Sequence, residues 1–156
     1  MARRTGELSE LDRKILRLLQ TEANLPLDKI AQAVGASRTA VWNRIKRFES
    51  EGLIRRYQAV IDPSKVGLDQ TFFVSIRTNR HDTEWLSRFS AAVEELPEIV
   101  EAHRLAGEAD YLLKVQVASA ADYDVFYRRL IARIELYNVT SWLSMETIKA
   151  PAPLPI

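Results

Sequence analysis

Along residues 38–50 the side chains able to do chemistry are nearly all cationic or hydrogen-bonding, and they recur at helical spacing. Thr39, Asn43, Lys46 and Ser50 share one side at about 100° per residue, with Trp42 and Arg47 on the flanks and Arg38 in the first turn. Amide and guanidinium groups match the donor and acceptor edges of base pairs, while lysine and arginine match phosphate oxygens. The opposite side carries Val41, Ile45 and Phe48 at i, i+4 and i+7, a stripe that must be buried. Ser37 is placed to cap this helix by accepting an orphan backbone N–H. Before it, Leu27, Ile30, Ala31 and Val34 mark a shorter amphipathic helix, and Gly35 follows where a left-handed helix end costs least. Two helices joined in this way place the second in a major groove, with its first turns nearest the bases.

Charge distribution separates this reading from that of an ordinary solvated helix. The chain of 156 residues is nearly neutral, with 22 basic and 21 acidic side chains. Residues 1–60 hold 12 Lys and Arg against 7 Asp and Glu, whereas residues 61–156 hold 10 against 14. A basic first third on a neutral chain is an electrostatic footprint for a phosphate backbone, so double-stranded DNA is the expected partner.

Other chemistries find little support. The absence of cysteine excludes disulfides and thiolate metal sites. His81 and His103 lie far apart without ligand spacing, and His103 reads as a packed or hydrogen-bonded strand residue. No metal, cofactor or catalytic group is expected. No apolar run approaches the roughly 18 residues of a membrane span, and the opening MARRTGELSELD has no signal-peptide core. A cytoplasmic protein is expected.

The elements that must position these residues follow from capping and periodicity. Ser9 and Asp12 have capping-box spacing, and Leu11, Ile15, Leu18 and Leu19 form the buried face of a first helix. Asn24 and Pro26 break the chain before the second helix. Residues 1–54 therefore read as a three-helix, winged-helix-like domain containing the helix-turn-helix. Residues 55–67 read as a connector strand and hinge: 54–61 are β-rich and end at the turn signal Asp62-Pro63. This strand suits either a wing or pairing with a second copy.

After Gly67 the pattern changes to strand 71–78, a helix capped by Thr83 with Leu86, Phe89 and Val93 inward, and strands 99–105 and 111–117 around a turn at 106–110. Ser119 with Asp122 then caps a helix with Tyr123, Phe126, Leu130 and Ile134 inward, and 139–148 form a last strand. The order β-α-β-β-α-β predicts an α+β chain whose residues 68–150 form a ferredoxin-like domain, with 151–156 as a tail. Strands such as YLLKVQV and FFVSI also carry apolar groups on the uncovered face, so a homodimer at least is expected.

Taken together, Leu11-Asp12-x-x-x-Ile15-Leu16, Ser37…Arg44-x-x-Arg47, Gly52-Leu53-Ile54, Asp62-Pro63…Gly67 and Gly107-Glu108-Ala109-Asp110-Tyr111-Leu112-Leu113 resemble the Lrp/AsnC (feast/famine) family of transcriptional regulators over nearly the whole chain. The resemblance implies that the ferredoxin-like half, of the RAM or ACT-like kind, assembles the protein and senses a small effector, usually an amino acid. It implies dimers that go on to octamers, with the effector in a cleft between subunits. The residues carried over are Gly107, Glu108, Ala109 and Asp110 in the turn and Ser141, Trp142, Leu143 and Ser144 on the last strand. Asp110 is then the partner of a ligand ammonium, and the turn amides hold its carboxylate; the alternative reading of Asp110 is a turn residue bonding its own backbone.

Two departures bear on ligand identity: Ala109 stands where the family usually has an aromatic residue, and Ile134-Glu135-Leu136-Tyr137 replaces a usual Pro-Gly turn. The segments His81-x-x-Glu84-Trp85, Tyr123-Asp124-x-Phe126-Tyr127 and Leu154-Pro155-Ile156 are similar to a branch that regulates cysteine detoxification. A relative of the same layout that decarboxylates a haem precursor would need a cationic pocket. Here the second half is net acidic, with only His103 and Arg104 near, so no enzymatic activity is expected.

Overall fold

The computed structural model describes residues 8–156, which fold as two compact units, residues 8–60 with 149–156 and residues 61–148. In the first unit, α1 (Glu10–Thr21), α2 (Leu27–Val34) and α3 (Arg38–Ser50) close over a core of Ile15, Leu16, Leu19, Ile30, Ala31, Val41 and Phe48. The Ser9 hydroxyl accepts from the Asp12 amide at 3.2 Å, and the Asp12 carboxylate accepts from the Ser9 amide at 3.0 Å, completing the capping box. Gly35 takes φ 68°, a conformation that a side chain would strain, and this sets the turn between α2 and α3. α3 is closed by Glu51 as its C-cap and by Gly52, the left-handed residue after it, at φ 70°.

In the second unit, β1 (Gln70–Arg77), α4 (Thr83–Glu95), β2 (Ile99–Arg104), β3 (Tyr111–Val117), α5 (Ala120–Arg133) and β4 (Asn138–Leu143) build the ferredoxin-like arrangement. The antiparallel sheet has the order β2-β3-β1-β4. Phe72, Val74, Ile76, Tyr111, Leu113, Val115 and Val117 point from it into a core closed by Trp85, Phe89, Ala92, Phe126 and Leu130. The fold class is the one the sequence predicted.

Three local expectations are corrected. The cap of α4 is Asp82, which accepts from the Trp85 amide at 2.8 Å; its carboxylate also takes the Arg80 guanidinium, a combination a threonine hydroxyl cannot match. The buried stripe of α4 starts at Trp85 rather than Leu86, because the indole N–H can donate to the Glu135 carbonyl at 3.0 Å while its ring stacks on Phe89. The last strand stops at Leu143, where the ladder with β1 runs out: the Ser144 amide makes one more bond, to the Thr71 carbonyl, and Ile148 is almost fully exposed.

Among the described residues the connector has no ladder partner. Residues 55–62 lie outside any strand, and Pro63–Val66 form a single 3-10 turn capped by Asp62. Val60 and Ile61 stand exposed on it. A strand there needs a second chain to complete its hydrogen bonds.

Candidate nucleic-acid interface and effector site

The outward face of α3 is assembled by packing on its other side. Val41 and Phe48 are fully buried, which directs Thr39, Trp42, Asn43, Lys46 and Ser50 into solvent. Ser37 caps the helix by accepting from the Ala40 amide at 3.2 Å, leaving other first-turn N–H groups pointing outward beside the exposed Arg38. That end of the helix, with its dipole, favours an anion. Trp42 is half exposed, a large amphipathic surface on the same face.

The cations of this face differ in their freedom. Arg38 lies 3.5 Å from Asp28 and Lys46 lies 2.8 Å from Glu49, both surface pairs that a phosphate can displace at little cost. Arg47 is different. Its guanidinium is 3.0 Å from the buried carboxylate of Asp12, which also holds Arg44 at 3.3 Å. Arg47 therefore neutralises a core anion while its side chain stays about half exposed. Burial by itself would raise the Asp12 pKa, but the Ser9 hydroxyl and amide and the Arg47 charge outweigh it and hold the carboxyl below its ordinary value. Sequence reasoning noted Asp12 only as a cap. Its partners lie more than thirty residues away, and no local periodicity connects them.

Glu49 carries a second bond, from the Tyr57 hydroxyl at 3.1 Å. Donation from Lys46 and Tyr57 lowers the Glu49 pKa, whereas partial burial and that same carboxylate raise the phenol of Tyr57. Tyr57, in the segment that follows α3, is thereby tied to the anion that orients Lys46.

In the second unit, the turn between β2 and β3 is pinned at its base. The Asp110 amide donates to the Ile76 carbonyl at 2.9 Å, and its carbonyl accepts from Leu105 at 2.8 Å. One carboxylate oxygen accepts from the Thr78 amide at 2.8 Å. Asp110 therefore latches the end of β1, the role expected of a turn residue except that the amide belongs to a neighbouring strand, and its other oxygen stays available. Gly107 and Glu108 are exposed, and a Cβ at Gly107 would meet nothing within 4 Å. Among the described residues, no hydrogen bond uses the Gly107, Glu108 or Ala109 N–H.

Ser141–Ser144 lie elsewhere. Ser141 pairs with Val74 and Leu143 with Phe72, and the Ser144 amide reaches Thr71, whereas Tyr111 at the turn pairs with Ile76. The two segments are thus offset by several residues along β1 at about 3.3 Å each, with β1 between Asp110 and β4. The residues of this segment also alternate between faces: the Ser141 hydroxyl bonds Tyr123 of α5, while Trp142, opposite Phe73, projects from the open face. One chain does not bring the turn and β4 into a single pocket.

The open face of the sheet is mixed rather than apolar throughout. Phe73, Leu112 and Trp142 form its apolar part, and beside them Glu101 pairs with Lys114 at 3.0 Å and His103 at 3.5 Å. The Lys114 hydrogen bond, ahead of burial, keeps Glu101 below its ordinary pKa. His103 is exposed in this ion-pair cluster, so its partner is a carboxylate and not the core. Among the described residues, no group of three or more His, Asp or Glu side chains is arranged to hold a metal, and no helix is long and apolar enough to cross a membrane.

Comparison with known proteins assigns both halves. Residues 8–55 match the winged helix-turn-helix DNA-binding model, and residues 71–154 match the Lrp/AsnC ligand binding domain. The chain is 45% identical over 150 residues to the DNA-binding transcriptional activator DecR of Escherichia coli K12, spanning 96% of this chain and 99% of that one. An AsnC family transcriptional regulator from Agrobacterium tumefaciens superposes with a TM-score of 0.90 at 50% identity, over 94% of this chain and 96% of the other. A transcriptional regulator of Neisseria meningitidis, solved as a complex with L-methionine, superposes at 0.89 and 27% identity over 96% and 97% of the two chains.

Proposed function

This chain belongs to the Lrp/AsnC family of DNA-binding transcriptional regulators, and from that membership we propose how its two halves divide the work. The first unit reads operator DNA through α3. Arg38, Thr39, Trp42 and Asn43 reach base edges, the Ser37 end of the helix and Lys46 take phosphates, and Arg47 adds only its outer edge. The observation carrying this reading is that packing of Val41 and Phe48 leaves one continuous polar face, whose cations are held by displaceable surface carboxylates.

The second unit binds a small amino acid between copies of the chain. Gly107–Asp110 of one copy supplies free turn amides and the remaining Asp110 oxygen, and Ser141–Ser144 of a neighbouring copy supplies the opposite wall. The geometry supports this because the two segments sit apart within one chain. The L-methionine complex of the Neisseria relative shows that a protein of this fold takes such a ligand. Ala109 leaves room beside the turn, and the likeness of His81-x-x-Glu84-Trp85 and Tyr123-Asp124-x-Phe126-Tyr127 to the cysteine-detoxification branch makes cysteine the first amino acid to test. A thermal-shift screen over the twenty amino acids tests the reading, since a ligand bound only by the folded state raises apparent stability. No shift with any of them would remove the site.

Lys46→Ala is expected to weaken binding to all DNA sequences alike and to flatten the salt dependence by about one unit of slope. Asn43→Ala is expected to reduce discrimination between operator and random DNA instead, by about 1–3 kcal/mol. Gel-shift titrations at two salt concentrations separate them, and two variants behaving like the parent would displace α3 as the reading helix.

The open sheet face and the unpaired 55–62 segment make a dimer the minimum assembly, with an octamer as the larger form to look for. Light scattering at micromolar concentration is expected to give at least twice the 17.8 kDa of one chain. A single species of one-chain mass would refute both assembly and a shared effector cleft.

A further inference from the structure

The chain enters the DNA-binding unit twice. It leaves near Val60, builds the whole sheet domain, and returns at Lys149 so that residues 149–156 pack with α1–α3. The return is anchored by specific bonds. The Leu154 amide donates to the Gln20 side-chain oxygen at 2.6 Å, the Gln20 amide donates back to the Leu154 carbonyl at 3.3 Å, and Arg17 donates to the Ile156 carbonyl. Ile156 is half-buried against the cluster of Leu16, Leu19 and Ile54. The outgoing segment (Leu53–Gln58) and the returning residues Leu154 and Ile156 line one groove of about 770 Å³ over α1.

The composition of the return suits a tether. Pro151, Pro153 and Pro155 alternate with Ala152, Leu154 and Ile156, and each proline ring fixes φ near −65°, so little backbone entropy is lost when the segment is held. Prolines also lack an N–H, and of the amides that remain, those of Leu154 and Ile156 are both bonded. At the other end, the Ser144 amide is fixed to β1 through the Thr71 carbonyl. Residues 145–153 therefore run between two anchored points.

We propose that residues 150–156 are a strap, a second tether that limits reorientation of the DNA-binding unit and joins it to the end of β4, with Gln20 as the residue that fastens it. A unit held by one flexible link samples many orientations, and two linked reading heads engage paired half-sites well only when their presentation is restricted. The strap starts a few residues beyond Ser141–Ser144, so a ligand that moves β4 acts on the strap directly. This last step rests on the effector reading above; the tether itself does not.

The test uses the full chain. It contains no cysteine, so Gln32→Cys on the exposed side of α2 gives one thiol for a fluorescent label. Time-resolved anisotropy then reports segmental motion of the DNA-binding unit in three backgrounds: the parent, Gln20→Ala and a chain lacking residues 150–156. The fast component is expected to at least double in amplitude on deletion and to rise in part with Gln20→Ala, with helix content by circular dichroism unchanged. Affinity for the two-half-site duplex that the parent selects from a random DNA pool is expected to fall threefold to tenfold, with binding to a single half-site unaltered. Equal anisotropy decays in all three proteins would overturn the strap. Greater motion with unchanged two-site affinity would leave it no part in DNA binding and overturn the proposal in that respect. A parent that selects no DNA would refute the regulator reading, while the anisotropy comparison would still decide whether the strap holds.

Discussion

Asp12→Ala is expected to destabilise the DNA-binding unit by about 2–4 kcal/mol, lowering its Tm by more than about 10 °C. Two losses combine. The Ser9 amide and hydroxyl lose their acceptor, so half of the capping box goes while the amide of residue 12 still donates to the Ser9 hydroxyl. Arg44 and Arg47 lose the anion that neutralises them, although side-chain exposures of 33% and 47% let water recover part of that cost. The converse experiment is harsher. Arg44→Met with Arg47→Met leaves a carboxylate of 4% exposure without a cation, for which about 3–5 kcal/mol is expected.

The same site fixes a pH dependence. The folded-state pKa of Asp12 lies below its ordinary value, so its stabilisation is fully present above about pH 4 and is lost as pH falls through the lower folded-state value. Denaturant melts of the parent and of Asp12→Ala between pH 3 and 7 are expected to converge at the acid end. Parallel curves over the whole range would show that folding leaves the Asp12 pKa at its ordinary value. A practical consequence concerns α3: reduced DNA binding by Arg47→Ala reports misplacement of the recognition helix unless its Tm is shown to match the parent.

Asp110→Asn is expected to weaken effector binding about 10- to 100-fold while leaving the Tm of the unliganded protein within about 1 °C and its DNA affinity unchanged. An asparagine oxygen still accepts from the Thr78 amide, so the latch on β1 survives, but the negative charge proposed to hold a ligand ammonium is gone. Asp110→Ala removes both and is expected to lose stability as well, about 1–3 kcal/mol for the orphaned amide. The pair of variants separates the structural role from the binding role. Calorimetry with and without operator DNA adds a second check, because the effector and DNA must alter each other's affinity by one common factor. Parent-like effector affinity in Asp110→Asn would assign the residue to the turn alone.

The features legible in the sequence were those set by short-range periodicity and capping. The positions of α2 and α3, the outward face of α3, the βαββαβ order and the Tyr111–Val117 strand follow from which residues recur at 3.6 or at 2, and from Ser9, Ser37 and Ser119 at helix starts. Where two neighbouring residues compete for one inward position, periodicity could not choose: Trp85 displaced Leu86 only because Glu135, fifty residues on, offers its indole a carbonyl.

Charge pairing was equally out of reach. Arg38, Lys46 and Arg47 are interchangeable cations in the sequence, and only the tertiary structure separates the two held by surface carboxylates from the one committed to Asp12. The separation of Gly107–Asp110 from Ser141–Ser144 is likewise a matter of strand register, which sets the two motifs apart along β1 in one chain. Nor does the sequence 150–156 show where it lies. Its three prolines mark it as unable to join a helix or a sheet ladder, and the bonds from Gln20 and Arg17 that seat it on α1 exist only once the chain has folded back.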